Sequence, residues 1–114
     1  MKEQIKRILE QHRGRENAIP RKRLRNEIIY LQVHECNGGI VKPLSDRKMR
    51  ELINELRHTG YPILSATGKP SGYYMPATYA EVKEARRMIL SYVIDLRRTL
   101  KALRIYGERY VAKE

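Results

Sequence analysis

Residues 60–76 read GYPILSATGKPSGYYMP, and no aspartate or glutamate interrupts them. Pro62–Thr67 (PILSAT) and Gly72–Met75 (GYYM) are rich in strand formers, and GKPSG between them is turn chemistry. The pattern predicts a β-hairpin over residues 61–76 with a five-residue tip and Lys69 as its sole charge. Successive strand side chains point to opposite faces, so one of Tyr73 and Tyr74 is expected in the core and only the other free.

Immediately before the hairpin lies the clearest helix, expected over residues 45–59. Ser45 is a good N-cap, and Asp46 sits in the first turn, where the helix dipole favours negative charge. Leu44 and Met49 have the spacing of a hydrophobic staple. Met49, Leu52, Ile53 and Leu56 form one apolar stripe, and Arg47, Glu51, Asn54 and His58 stand opposite, flanked by Arg50 and Arg57. Gly60 is expected to end this helix.

Further upstream, CNGGIVKP (residues 36–43) breaks periodicity through Asn37-Gly38-Gly39 and Pro43. PRKRLRNEIIYLQVHE before it predicts a helix opened by Pro20, with Leu24, Ile28 and Leu31 on one face. Ile29 and Val33 fall on the other side, so two neighbours are expected to cover this helix. Ala18-Ile19 should be extended, because a residue before proline avoids the helical region. Ile5, Ile8, Leu9 and His12 predict a first helix ended by Gly14. Downstream, a helical pattern runs from Tyr79 to Ala112 with no proline and no glycine before Gly107.

The order is therefore helix, short strand, helix, helix, hairpin. LSDRKMRELINELRHTGYPILSATGKPSGYYM, about 32 residues, resembles the recognition helix and wing of winged helix-turn-helix domains. The likeness is to the small variants of biotin-repressor-type regulators and phage-encoded proteins. Arg50, Leu52-Ile53, Leu56-Arg57, Gly60-Tyr61, Pro62-Ile63 and Gly72-Tyr73-Tyr74 carry it. The resemblance implies an α+β, mainly α fold: three helices and a hairpin wing over residues 1–78, with a long C-terminal helix over 79–114. One departure stands out. A tight helix-turn-helix joins its helices by about 3–4 residues, and CNGGIVKPL is longer.

Composition agrees with a polyanion partner. Lys and Arg outnumber Asp and Glu by 24 to 13, a net charge of +11 over 114 residues. The resemblance implies double-stranded DNA, with the third helix in the major groove and Lys69 meeting phosphate or minor groove. Arg47, Lys48, Arg50, Asn54, Arg57 and His58 then belong to the DNA face, since arginine suits guanine and asparagine adenine. Arg21, Lys22, Arg23 and Arg25 open the second helix, where free N–H groups and basic side chains suit phosphate. Against this stands a merely solvated helix face, with Glu51 paired to Arg47 at i,i+4.

Other classes find less support. No Ser/His/Asp or Cys/His set stands in a catalytic context, and no lysine-Ser/Thr-helix follows GKPSG as a phosphate loop requires, so no enzyme is indicated. His34 and Cys36 have the spacing of half a zinc site without a second pair. No metal, cofactor or small-molecule ligand is implied. The single Cys36 rules out an internal disulfide and points to a reducing cytoplasm. Lys6 and Arg7 interrupt any signal-peptide core, and no run of about 18 apolar residues predicts a membrane span.

The long helix carries a second message. Val82, Ile89, Val93, Leu96, Leu100, Leu103 and Tyr110 follow alternating 3/4 spacing, broken by Arg86 and Gly107. At 1.5 Å per residue it would reach about 50 Å, beyond a body about 30 Å across. Its overhanging stripe, Ile89, Val93, Leu96, Leu100 and Leu103, predicts a coiled-coil homodimer, the alternative being a bend that folds the tail back onto the body. Arg97, Arg98, Lys101 and Arg104 flank the seam, and Glu81, Glu84 and Asp95 lie toward the other end, which favours antiparallel pairing. The expected function is transcriptional or replication control in a bacterium or phage. Its rivals are an assembly module whose basic face is incidental and an RNA-associated basic protein.

Overall fold

The computed structural model describes residues 1–35 and 43–111. Cys36 and the Asn37–Gly39 break lie outside the described residues. The chain is mainly helical, with one two-stranded antiparallel sheet and a long C-terminal helix. It divides into two units, Met1–Glu81 and Val82–Glu114.

In the first unit, α1 (Lys2–Leu9), α2 (Arg21–Glu35) and α3 (Asp46–His58) pack on one another. Each contributes apolar side chains to one core: Ile5, Ile8 and Leu9 from α1, Leu24 and Ile28 from α2, and the full α3 stripe. Ser45 caps α3 as its spacing predicts, its hydroxyl accepting from the Lys48 N–H at 3.1 Å. The staple residues Leu44 and Met49 are both buried in that core. Val33 departs from expectation: it is exposed, and Ile29 is only half-buried. The second face of α2 is thus incompletely covered.

The sheet is built from β1 (Leu64–Ala66) and β2 (Gly72–Tyr74), in the register Leu64–Tyr74, Ser65–Tyr73, Ala66–Gly72. The connecting loop is therefore Thr67–Ser71, one position earlier than expected, and the Lys69–Pro70 peptide is cis. The free edge of β2 is also used. The Ile19 N–H donates to the Tyr73 carbonyl at 2.9 Å, and the Tyr73 N–H returns to Ile19 at 3.0 Å. Extended Ala18-Ile19 thus lies against the hairpin. Gly72 permits this approach: a Cβ there would stand 1.9 Å from the Ile19 carbonyl oxygen, at a φ of 129° that side chains rarely adopt.

A second pairing was not legible. Met75 donates to the His12 carbonyl at 2.8 Å and accepts from the Gly14 N–H at 2.8 Å. Those groups cannot also serve a helix, so α1 stops at Leu9 rather than reaching Gly14, and Arg15–Asn17 form a 3₁₀ turn. Tyr73 and Tyr74 are also corrected. Neither is free, because Tyr73 joins the main core while Tyr74 packs with Ala18, Ala66 and Leu64.

The C-terminal helix α4 (Tyr79–Ala102) begins in the first unit. Thr78 accepts from the Glu81 N–H at 3.4 Å, and the Glu81 carboxylate accepts from Ala77 at 2.9 Å and Arg15 at 2.8 Å. Its first turn is tied down by this cap. The expected unbroken helix to Ala112 is not observed. A π-helical turn over Leu103–Gly107 interrupts it before the short α5 (Glu108–Val111). The turn holds an extra residue, rotating the residues beyond it by about 100°, so the stripe ends at Leu103 and Tyr110 leaves it. Among the described residues, no helix is long and apolar enough to cross a membrane.

Candidate nucleic-acid interface

The α3 stripe faces the core, so helical geometry turns Arg47, Asn54 and His58 outward, and all three are exposed. Arg50 and Arg57 occupy one flank of this face. Lys48 does not join them. It lies on the other flank with Glu55, which Lys2 of α1 holds at 2.9 Å.

Asp46 draws two elements together. Arg21, at the start of α2, approaches its carboxylate at 3.7 Å, and Arg50 does so at 3.4 Å. Arg21 also lines a shallow depression with Ser65, Thr67, Ser71 and Tyr73 of the hairpin. The start of α2, the first turns of α3 and the hairpin therefore share one surface.

Arg57 fixes the hairpin to α3. Its Nε donates to the Ile63 carbonyl at 2.8 Å and its Nη2 to the Ser65 hydroxyl at 2.7 Å, with the guanidinium 5.8 Å from the Tyr73 ring centre. Burial lowers its pKa from the usual arginine value. The Asn54 side-chain oxygen accepts a longer bond from Arg57 at 3.4 Å. Arg57 is thus a strut within the candidate surface rather than a side chain free to reach outward.

The remaining predicted residues divide by partner. Arg47 approaches Glu51 at 3.4 Å, as i,i+4 spacing anticipates, and Arg23 approaches Glu27 at 3.5 Å. Arg25 is half-buried. Lys22, Lys48, His58 and Lys69 are exposed; Lys48 acts electrostatically on Glu55, and the other three have no ion pair among the described residues.

One basic residue beside the hairpin had no local signal. Arg15 donates through Nη2 to the Thr67 carbonyl at 3.1 Å, at the foot of the loop carrying Lys69. Only the pairing of residues 12–19 with β2 brings it there. His34 of the half-zinc pattern packs its ring on Tyr30, 4.1 Å between centres. Among the described residues, no group of three or more His, Cys, Asp or Glu side chains is placed to hold a metal ion.

No known protein family, curated protein or solved structure matches this chain. The functional reading therefore rests on its own residues.

The stripe of α4 forms a separate candidate site. Ile89, Val93, Leu96, Leu100 and Leu103 are all exposed, Leu96 at 69% and Leu100 at 68%. These are values of side chains without a covering neighbour, and α4 contains no buried residue.

Proposed function

We propose that this chain binds duplex DNA through a winged-helix arrangement, with α3 as the groove element and the β1–β2 hairpin as the wing, and that it acts in transcriptional or replication control. The observation that carries the reading is the Arg57 strut: it holds the hairpin against α3 through Ile63 and Ser65 while Arg47, Asn54 and His58 face outward. Lys69 on the loop and Arg15 at its foot supply phosphate contacts in this reading, and Arg50 and Asn54 supply base contacts.

The chain acts as a homodimer through α4. At roughly 1.5–3 kcal/mol per buried leucine, six leucines across a symmetric pair offer roughly 9–18 kcal/mol before the cost of association. With Val93 and Leu100 at a positions and Ile89 and Leu96 at d, the e column carries Lys83, Leu90 and Arg97 and the g column Ala85, Tyr92 and Thr99. An antiparallel pair sets the basic e column against itself, whereas a parallel pair sets it against neutral g residues. Against that, a parallel in-register pair sets Arg86, at an a position, against its own copy, and antiparallel pairing stands as the proposal.

The rival reading, an assembly module with an incidental basic face, draws support from the ion pairs of Arg21, Arg23, Arg47 and Arg50. Duplex titrations at several salt concentrations separate the two. Asn54→Ala and Arg50→Ala should reduce discrimination between sequences, and Lys69→Ala should weaken binding to all of them and flatten the salt slope by about one unit. A wild-type protein that ignores duplex DNA, or three variants with unchanged binding, removes the recognition-face assignment.

A further inference from the structure

Eight cations of the first unit stand beside carboxylates. Within that unit, Asp46, Glu51 and Glu27 sit inside the candidate DNA surface. A carboxylate beside an arginine repels the same phosphate the arginine attracts, so Arg21, Arg23, Arg47 and Arg50 pull less than free cations would, while Lys22 and Lys69 pull unopposed. In α4 the situation is reversed. Arg87, Arg97, Arg98 and Lys101 are exposed, and none is ion-paired among the described residues.

Their spacing places them together. On α-helical geometry the four fall within an arc of about 100°, with Arg97 and Lys101 toward the apolar seam and Arg87 and Arg98 opposite it. Arg97 and Lys101 stand at i,i+4, and Arg98 and Lys101 at i,i+3, so like charges crowd one face at a cost to the helix. Glu84 and Asp95 stand at i,i+3 to Arg87 and Arg98, along one edge of this arc, while Arg97 and Lys101 lie at its other edge. From Arg87 to Lys101 the ridge runs about 21 Å, and duplex DNA presents a phosphate charge every 1.7 Å or so along its axis.

We infer that this ridge of α4 is a nucleic-acid backbone contact, which adds to the sequence-independent, salt-sensitive part of the affinity. The inference rests on the duplex-DNA reading and adds a division of labour to it: α3 and the hairpin discriminate, and α4 holds the backbone. A membrane surface fits less well. A helix lying apolar face down brings both flanks of its stripe to the headgroups, and here one flank carries Glu84 and Asp95, which anionic lipid repels.

The test compares the full chain with its Arg97→Gln, Arg98→Gln, Lys101→Gln variant, which keeps good helix formers at every changed position. Far-ultraviolet circular dichroism and sedimentation first establish that helicity and self-association match the wild type. If they do not, each substitution is made singly and the three effects compared. Binding to a mixed-sequence duplex is measured across a salt series, alongside vesicles of equimolar phosphatidylglycerol and phosphatidylcholine. The expected result is a salt slope smaller by about two to three units and affinity at least tenfold weaker at low salt, with discrimination between duplexes retained. Wild-type binding to duplex with an unchanged slope in the variants overturns the ridge alone. No wild-type binding to duplex overturns the DNA reading and the ridge with it. Vesicle binding that the variant loses, without duplex binding, reassigns the ridge to lipid and also overturns the inference.

Discussion

Met1–Glu81 and Val82–Val111 are both rich in arginine and lysine, yet they dispose of charge and apolar surface in opposite ways. Among the described residues, every buried hydrophobic side chain belongs to the first, which also holds eight ion pairs. The second has a longer apolar stripe than any helix of the first, and it stands exposed. In the first unit, helices bury their stripes on one another and carboxylates settle beside the cations left at the surface. A single helix has no such partners. Most helical stability in proteins comes from packing an apolar face; the first unit has that packing within itself, and the α4 stripe stands exposed.

The sharpest way to break this contrast is to charge the stripe. Leu96→Glu with Leu100→Glu should abolish self-association, leave the first unit folded, and weaken DNA binding. Sedimentation reads the first effect, and hydrogen exchange at the Ile19 and Tyr73 amides the second. A wild-type chain that is monomeric at tens of micromolar, a concentration corresponding to about 6–7 kcal/mol of association, sinks the dimer.

Gly72→Ala strikes the first unit instead. Its Cβ would meet backbone rather than a movable side chain, so the pairing of Ile19 with Tyr73 must open. Unfolding in urea should show a loss of about 2–4 kcal/mol, with the α4 stripe untouched. A neutral effect would mean that Ile19 does not pair with the hairpin.

Arg57→Lys keeps the charge but not the fork that reaches Ile63 and Ser65 together. The expected loss is about 1–2 kcal/mol, with faster hydrogen exchange confined to β1 and β2. Exchange that quickens uniformly across the first unit would show that Arg57 is no strut for the hairpin.

Acidification should give the smallest effect, again in the first unit only. The Tyr61 hydroxyl, at 2.7 Å, lowers the pKa of Glu10 against a smaller opposing effect of burial. Hydrogen bonds from Arg7 lower Glu35, and from Lys2 lower Glu55. A carboxylate whose pKa is lower in the folded state binds fewer protons there than in the unfolded chain. Its contribution is complete above the ordinary value of 4.5 and is lost as pH falls through the lowered values. The urea midpoint should therefore hold from neutral pH to about 4.5 and fall below it. These groups are exposed and screened, so the fall is modest. Glu10→Gln with Glu55→Gln should flatten it, and a midpoint that rises on acidification contradicts the assignment.

What could be read from residue order alone was whatever local chemistry governs. Ser45 and Gly60 mark the ends of α3, and Leu44 with Met49 forecast the staple, because caps and i,i+5 staple contacts lie within a turn or two of chain. The hairpin came from turn residues between strand formers, and the exposed stripe of α4 from its 3/4 period. Charge type was equally legible, but not its compensation. That Asp46 receives both Arg21 and Arg50, and that Arg57 reaches back to Ile63 and Ser65, depends on where helices cross and on a guanidinium choosing among several acceptors. The end of α1 at Leu9 and the arrival of Arg15 beside the hairpin were decided further away still. Met75 takes the backbone groups of His12 and Gly14 from a helix that local propensity would have continued. Backbone pairing between segments some sixty residues apart leaves no periodic trace in either. Residue order alone therefore determined the elements and the sign of their charge; only the tertiary structure decided which of those charges were already matched and which apolar faces still lacked a partner, because both depend on which surfaces meet.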